Sequence, residues 1–255
     1  MITFKKLGKY GWLGNQMFQY AFLYAVGKKT EIDIGFDFNN NPMLTKIFNI
    51  KAKDSSKIIQ SKFLVEKNTC EYIDYSSIEN NTDIMGYFQN YKYVKENEID
   101  LRNIFVFNEN TYNKCFNFIK EFKNKIKKDL VSIHLRRTDY LKAPDIHNVC
   151  DEKYYSNAIG NFSKDNFFVI FTDDPEYAEN AFVNIPCIIM NNSTEEDLIL
   201  MSLCDHNIIA NSSYSWWGSW LNENTNKKII APKRWYNKIG PKEWENIYRP
   251  EMILI

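Results

Sequence analysis

The stretch FFVIFTDDPEYAENAFVNIPCIIM, residues 167–190, contains two short apolar runs separated by a polar segment. FFVIFT and IPCIIM are continuously apolar, which is typical of strands buried on both faces of a parallel sheet. DPEYAENAF between them predicts a short helix, with Pro175 near its first turn. The stretch therefore predicts a strand–helix–strand unit with parallel strands.

The same alternation continues on both sides of this unit, from residue 130 towards the end of the chain. Strands are predicted for LVSIHL, NIIA and KKIIAP, and helices for DEKYYSNAIGNF, STEEDLILMSLC and SSYSWWGSWLNEN. In STEEDLILMSLC a Ser/Thr pair precedes an acidic first turn, which is the signature of a helix N-terminus. This alternation predicts an α/β domain whose parallel sheet is covered by helices on both faces.

The N-terminus shows the pattern once more. MITF predicts a strand, and a glycine-containing loop leads to QMFQYAFLYAVGKK, a helix that is apolar on nearly all sides. EIDIGFDF alternates strictly and predicts the next strand. Residues 40–125 have weak periodicity, apart from a strand or turn and a helix start in TDIMGYFQNYKYV and an amphipathic helix in NKCFNFIKEFKNKIKKD. We therefore predict two domains, residues 1–125 and 126–255.

The composition argues against several classes of function. Lys+Arg and Asp+Glu each number 32, and this balance argues against broad nonspecific binding of nucleic acid. The five cysteines form no C-x-x-C pair, so they predict neither a zinc site nor a disulfide framework. Without a signal-peptide pattern or an apolar run near the roughly 20 residues of a membrane helix, we expect a cytoplasmic protein that could sit at the inner membrane face. The aromatic share of 16% fits core packing or, in part, carbohydrate contact.

Polar residues follow several predicted strands directly, and ligands of open α/β sheets bind beyond the carboxyl ends of the strands. The residues at these positions are Arg136, Arg137 and Asp139; Asp173 and Asp174; and Asn211, Ser212, Ser213 and Ser215. After MITF, a glycine-containing loop that includes Gly14 leads to Asn15 and Gln16 at the start of a helix. An arginine fork binds phosphate oxygens bidentately, and serine hydroxyls with free N–H groups at a helix N-terminus also bind phosphate. A carboxylate can accept two N–H donors from one guanine edge. Together these groups predict a site for a guanine nucleoside diphosphate.

Each of these signals also has a plainer interpretation. HLRRTDY, residues 134–140, could form a surface ion-pair network in which Asp139 only orients the arginines. The adjacent aspartates 173 and 174 could bind a divalent metal, but neighbouring residues on a strand point to opposite faces, so we predict no metal. WWGSW, residues 216–220, is either part of the core or a platform for a sugar.

Taken together, six stretches resemble glycosyltransferase family 11, the bacterial-type α-1,2-fucosyltransferases. They are GWLGNQMFQYA (11–21), SIHLRRTDY (132–140), HNVCDEKYY (147–155), FTDDPEYAENAF (171–182), DLILMSLCDHNIIANSSYSWWGSWLN (197–222) and IIAPKRWY (229–236). The resemblance implies a GT-B-like fold with two Rossmann-type domains that have parallel sheets, the first on the acceptor side and the second binding GDP-L-fucose. It implies an inverting transferase without metal or other cofactor. The implied acceptor is the 2-hydroxyl of a terminal β-galactoside in surface polysaccharide or O-antigen synthesis, which could be lipid-linked.

The resemblance also implies roles for individual residues. The family's H-x-R-R-x-D element falls on His134, Arg136, Arg137 and Asp139. By resemblance, an arginine of this element holds the diphosphate and offsets the charge of the leaving group. The acceptor hydroxyl must also lose a proton, and Asp139, Asp145 and His147 are candidate bases because they lie just after the arginine strand. A weak or water-mediated base would suffice for a dissociative reaction.

A more distant resemblance, to the α-1,6- and protein O-fucosyltransferases, covers HLRRTD and TDDP. It implies that Asp173 or Asp174 reads guanine and that residues 212–215 touch phosphate. Two positions depart from family 11, since Trp12 and Thr138 each stand where the family commonly has glycine. Two alternatives stay open at this point: a transferase that uses another GDP-sugar, and a nucleotide- or glycan-binding protein without catalysis.

Overall fold

The structure is a computed structural model that describes residues 1–255, which form two compact units. The first unit contains Met1–Phe107 and Pro241–Arg249, and the second contains Asn108–Gly240 and Pro250–Ile255. The predicted division after residue 125 differs from this one. The difference arises because the amphipathic helix that ends at Ile126 packs within the second unit, and because the chain returns to the first unit near its end.

The first unit is a parallel sheet with helices packed on it. Its elements are β1 (Ile2–Phe4), α1 (Leu13–Thr30), β2 (Ile34–Phe36), α2 (Leu44–Ile47), β3 (Lys53–Asp54), β4 (Lys62–Val65), β5 (Thr82–Met85), α3 (Tyr91–Glu96) and α4 (Glu98–Ile104), with short 3-10 helices at Phe38–Asn40 and Trp244–Ile247. The strand order is β3-β2-β1-β5-β4, and all neighbours are parallel. Because β1 is the central strand, the loop that follows it leaves the sheet at the middle of its carboxyl edge.

Local sequence explains most of these elements. α1 is buried on nearly all sides, as its uniformly apolar sequence predicts. Its Gly27 faces Ile34, where an added Cβ atom would lie 2.4 Å from the isoleucine Cγ2, so glycine permits the close helix–strand approach. β2 is shorter than EIDIGFDF predicts, because the Asp37 carboxylate accepts a hydrogen bond from Asn39 N and starts a 3-10 helix. The sequence pattern does not predict β3 or β4.

The second unit is built around a six-stranded parallel sheet. Its elements are α5 (Glu109–Ile126), β6 (Leu130–Leu135), α6 (Glu152–Ile159), β7 (Phe167–Thr172), α7 (Pro175–Ala181), β8 (Cys187–Met190), α8 (Thr194–Leu203), β9 (His206–Ile208), α9 (Ser213–Leu221), β10 (Ile229–Ala231) and β11 (Met252–Leu254), with a 3-10 helix at Tyr140–Lys142. The strand order is β11-β10-β9-β6-β7-β8. The parallel α/β architecture predicted for this region is confirmed, and β11 is an addition that the sequence pattern does not predict.

The tryptophan-rich helix belongs to the core. Trp216, Trp217 and Trp220 of α9 are buried, and α9 packs against α8. An added Cβ atom on Gly218 would lie 3.1 Å from the Met201 Cβ, so this glycine keeps the two helices close. The core interpretation of WWGSW is therefore confirmed. No helix of the structure combines the length and the apolar character that a bilayer crossing requires.

Candidate functional site

The strands β6 and β7 lie side by side and end together, with Leu135 paired to Thr172. The residues that follow them, Arg136 and Asp173, therefore leave the sheet next to each other at its carboxyl edge. Arg136 Nη1 lies 3.1 Å from Asp173 Oδ2. The structure thus brings together two groups that the sequence places only at the ends of separate strands.

Asp173 holds the loop after β6 in place. Its Oδ1 accepts a hydrogen bond from Arg137 N at 2.9 Å. Its Oδ2 accepts hydrogen bonds from Thr138 N at 3.2 Å and from Thr138 Oγ1 at 2.6 Å. Because both carboxylate oxygens accept hydrogen bonds from this loop, the residue that follows β7 fixes the backbone path of the loop that follows β6.

Arg136 lies between two carboxylates. Its Nη2 donates to Asp139 Oδ2 at 2.7 Å, while its Nη1 faces Asp173 at 3.1 Å. This is the contact expected if Asp139 orients an arginine. The guanidinium lies 5.8 Å from the centroid of the Tyr140 ring, and the Tyr140 hydroxyl donates to the Asn211 carbonyl at 2.9 Å. Tyr140 therefore connects the loop that carries Arg136 to the residues that open α9.

Arg137 has different partners. Its Nε pairs with Asp174 Oδ2 at 3.1 Å, and its Cζ lies 3.4 Å from the centroid of the Tyr177 ring. Asp174 also caps α7 by accepting a hydrogen bond from Tyr177 N at 3.2 Å. The sequence patterns considered above do not point to Tyr177 or Tyr140. Each tyrosine lies three residues after a charged residue of the site, and this spacing is the feature that could have indicated them.

Both aspartates predicted to read guanine are thus engaged inside the protein. A guanine edge would have to share a carboxylate with the arginine and backbone donors already bound to it. Guanine recognition by Asp173 or Asp174 therefore stays a prediction, with a structural role for both residues beside it. Across residues 1–255, no group of three or more His, Cys, Asp or Glu side chains is placed to hold a metal ion.

The two predicted catalytic histidines have different surroundings. His134 is buried on β6, where burial first and the Arg136 charge second lower its pKa to about 3. This pKa is too low for general acid or base work near neutrality. His147 stacks on Tyr140 with ring centroids 4.0 Å apart, and burial lowers its pKa against the opposing effect of the Asp139 carboxylate. The lowered pKa favours the neutral form of the His147 ring.

The residues at the start of α9 are buried or half-buried. Asn211 is buried and its Nδ2 donates to the Trp235 carbonyl at 2.7 Å. Ser215 is also buried, and its hydroxyl donates to backbone carbonyls of the preceding turn. Ser212 caps the helix by accepting from the backbone N–H two residues later, at 3.4 Å. Ser213, at the first helical position, is half-buried, so the first turn of α9 is the part that an anion could approach.

The predicted donor-binding residues of the first unit stabilise the loop after β1. Gln16 is buried, and its Oε1 accepts a hydrogen bond from Leu44 N at 3.0 Å. Asn15 Oδ1 accepts from Gln89 Nε2 at 2.7 Å, and Gly14 is buried in the first turn of α1. These contacts give the three residues structural roles. Their predicted contact with the donor stays a prediction.

Comparisons with known proteins agree with this architecture. Residues 5–255 match the family model described as glycosyl transferase family 11. The O-antigen biosynthesis glycosyltransferase WbnK of Escherichia coli is 30% identical, over 93% of this chain and 98% of that protein. An α-1,2-colitosyltransferase of Escherichia coli is 29% identical, over 89% of this chain and 91% of that protein.

Solved structures with the same fold are more distant in sequence. The fucosyltransferase NodZ from Bradyrhizobium superposes with a TM-score of 0.56 at 10% identity, covering 86% of this chain and 90% of its own. A family 9 glycosyltransferase from Veillonella parvula superposes with a TM-score of 0.51 at 10% identity, covering 100% of this chain and 85% of its own. The predicted GT-B-like α/β class with parallel sheets is confirmed.

Proposed function

Since the chain belongs to glycosyltransferase family 11, we propose that it transfers L-fucose from GDP-L-fucose to the 2-hydroxyl of a terminal β-galactoside, with inversion at the anomeric carbon. The observation that carries the proposal is the placement of Arg136 at the carboxyl edge of β6, oriented by two carboxylates and linked through Tyr140 to the residues that open α9. Since α9 follows β9, the neighbour of β6, positive charge and the N-terminus of a helix lie at the same edge of the sheet, which supports binding of a diphosphate.

Arg136 stabilises the departing GDP. Fucosyl transfer passes through an oxocarbenium-like transition state, as glycoside hydrolysis does, and negative charge grows on the diphosphate as the bond breaks. A guanidinium keeps its charge at any working pH. Because Asp139 and Asp173 already hold Arg136 in one orientation, little reorganisation accompanies this stabilisation. The N-terminus of α9 adds partial positive charge through the helix dipole.

His147 is the candidate base favoured by the geometry. Inversion requires the acceptor hydroxyl to lose its proton while GDP leaves. The Asp139 carboxylate is already paired with Arg136. His147 is half-buried and stacks on Tyr140, and its lowered pKa favours the neutral ring. We assign it the role of accepting the proton directly or through a water molecule.

We expect transfer without a divalent metal. The positive charge that a metal supplies to a diphosphate is provided here by guanidinium groups. The two aspartates at the end of β7 are bound to arginines and to backbone N–H groups. Their oxygens are therefore already used by donors from the protein.

A second donor, GDP-colitose, is favoured by the relative named an α-1,2-colitosyltransferase. Colitose is the 3-deoxy counterpart of L-fucose, so the two donors share a leaving group and differ by one hydroxyl. An acceptor in O-antigen synthesis is favoured by the name of the other relative. The choice of donor sugar and the choice of acceptor are both details of the same proposed transfer reaction.

The test is a transfer assay in EDTA with GDP-L-fucose or GDP-colitose and a panel of β-galactosides, in which released GDP and the linkage of the product are measured. The result expected is an α-1,2-linked product from one of the donors. Arg136→Ala should reduce the rate by about 100-fold or more, as removal of an electrostatic donor to the transition state does. Lys142→Ala, an exposed change on the same loop, should not. Binding of GDP without transfer from either donor would contradict the proposal and favour a non-catalytic binding protein.

A further inference from the structure

Four exposed aromatic side chains follow strands of the first unit's sheet. Tyr10 and Trp12 come after β1, Phe38 after β2 and Tyr87 after β5. Since β1 is flanked by β2 and β5 and all three are parallel, their following loops leave the sheet at one edge. Trp12 is the most exposed of the four, at 69%. An indole left in water at a ligand-binding edge needs an explanation beyond folding, because tryptophan is usually well buried.

The loops that carry these rings are tied together. Gln19 Nε2 donates to the Gly86 carbonyl at 3.0 Å, beside Tyr87, and lies 3.4 Å from the Tyr10 carbonyl. One buried glutamine therefore connects the loop after β1 to the loop after β5. Gly11, with φ of 77°, provides the left-handed conformation that the first loop needs just before Trp12. The loops that carry Tyr10, Trp12 and Tyr87 are therefore held in place by bonds within the protein.

The fold uses the backbone of Trp12 but leaves its side chain available. The Trp12 carbonyl accepts hydrogen bonds from Asn15 N at 3.0 Å and Gln16 N at 3.1 Å, which start α1. The indole contributes no capping hydrogen bond and stacks on no other ring. Replacing the indole should therefore cost little stability, so any functional effect reports on a ligand.

We propose that Trp12 is the stacking platform for the pyranose ring of the acceptor. The indole has an electron-rich face, and a neutral hexopyranoside presents polarised C–H groups on one face of its ring. No charged group is needed on such a ligand, and a β-galactoside meets this description. The inference rests on the proposed function for the identity of the reaction. It adds that acceptor affinity in this chain depends on the exposed indole of Trp12.

The test compares Trp12→Ala with wild type for two kinetic constants and for folding. We expect Trp12→Ala to raise the acceptor KM about tenfold, as for loss of an aromatic contact at an interface. The KM for the donor and the midpoint of urea unfolding should not change. Trp12→Phe should recover part of the acceptor affinity. The matched control is Phe63→Ala, which removes a ring that is 71% exposed on β4, and it should leave the acceptor KM unchanged.

A binding measurement separates this inference from the proposed function. Acrylamide quenching of tryptophan fluorescence is measured with and without methyl β-D-galactopyranoside, and the sugar should protect the exposed indole of wild type. The sugar could protect wild type but not Trp12→Phe from quenching, while the protein transfers sugar from neither donor. That combination would support the platform and contradict the proposed function. An unchanged acceptor KM in Trp12→Ala, or no protection by the sugar, would overturn the inference.

Discussion

Asp173 is the residue whose substitution best separates a structural role from a role in recognising guanine. The change is Asp173→Asn, which keeps the size of the side chain and removes its charge. The carboxylate accepts three hydrogen bonds from Arg137 and Thr138 and forms an ion pair with Arg136 at 3.1 Å. Its side chain is 19% exposed, so these interactions are only partly screened by solvent.

The expected magnitude follows from the hydrogen bonds that an asparagine cannot make at this position. The amide oxygen of asparagine can still accept hydrogen bonds where one carboxylate oxygen did. Its NH2 group, in place of the other carboxylate oxygen, would face donors. The variant therefore lacks at least one charge-assisted hydrogen bond and the ion pair, which we expect to lower the free energy of unfolding by about 2–4 kcal/mol. Arg136 then keeps only Asp139 as a partner. We expect the Kd for GDP and for ADP to rise together, by about tenfold, because the arginine proposed to bind the phosphates is held less firmly for both.

The assay is urea unfolding followed by circular dichroism, together with calorimetric titration of GDP and ADP. Thr138→Val is the matched control, because it removes the 2.6 Å hydrogen bond and leaves the charge of Asp173 in place. It should cost about 1 kcal/mol and leave nucleotide affinity almost unchanged. If Asp173→Asn instead retained wild-type stability and lost only the preference for GDP over ADP, Asp173 would be a reader of guanine and not an anchor of the loop.

Three further changes test other parts of the molecule. The pKa of His134 is about 3 in the folded state, below its ordinary value, so His134 disfavours folding once the unfolded chain binds a proton there. The free energy of unfolding should therefore fall as pH drops below 6.5, by up to about 1.4 kcal/mol per pH unit. Urea unfolding at pH 7 and pH 5 should show a smaller difference in His134→Gln than in wild type. Arg136→Lys cannot bridge Asp139 and Asp173 together, so calorimetry should show weaker GDP binding by about tenfold or more, with unfolding little changed. Ser193→Ala removes the capping box of α8 and should lower the free energy of unfolding by about 1 kcal/mol without affecting GDP binding.

Much of the fold could be predicted because its signals are local. A continuous apolar run such as LVSIHL indicates a buried strand whatever its neighbours are, and a serine before an acidic turn indicates the start of α8. The short strands β3, β4 and β11 could not be predicted in this way. They are only two to four residues long, and they form because a parallel neighbour supplies hydrogen-bond partners. The same limit applies to α5, whose amphipathic pattern predicts a helix but not the unit on which it packs.

For the site, the chemistry can be predicted from the sequence alone: two arginines and a set of aspartates and serines stand at the carboxyl ends of strands in an α/β protein. The contacts of those groups depend on the packing of the strands. The register of β6 against β7 places Asp173 beside Arg136 and Thr138, and makes the aspartate an anchor of the loop. The physical reason is that strand ends and helix starts follow from local periodicity, whereas a side chain's partner depends on which distant strand becomes its neighbour.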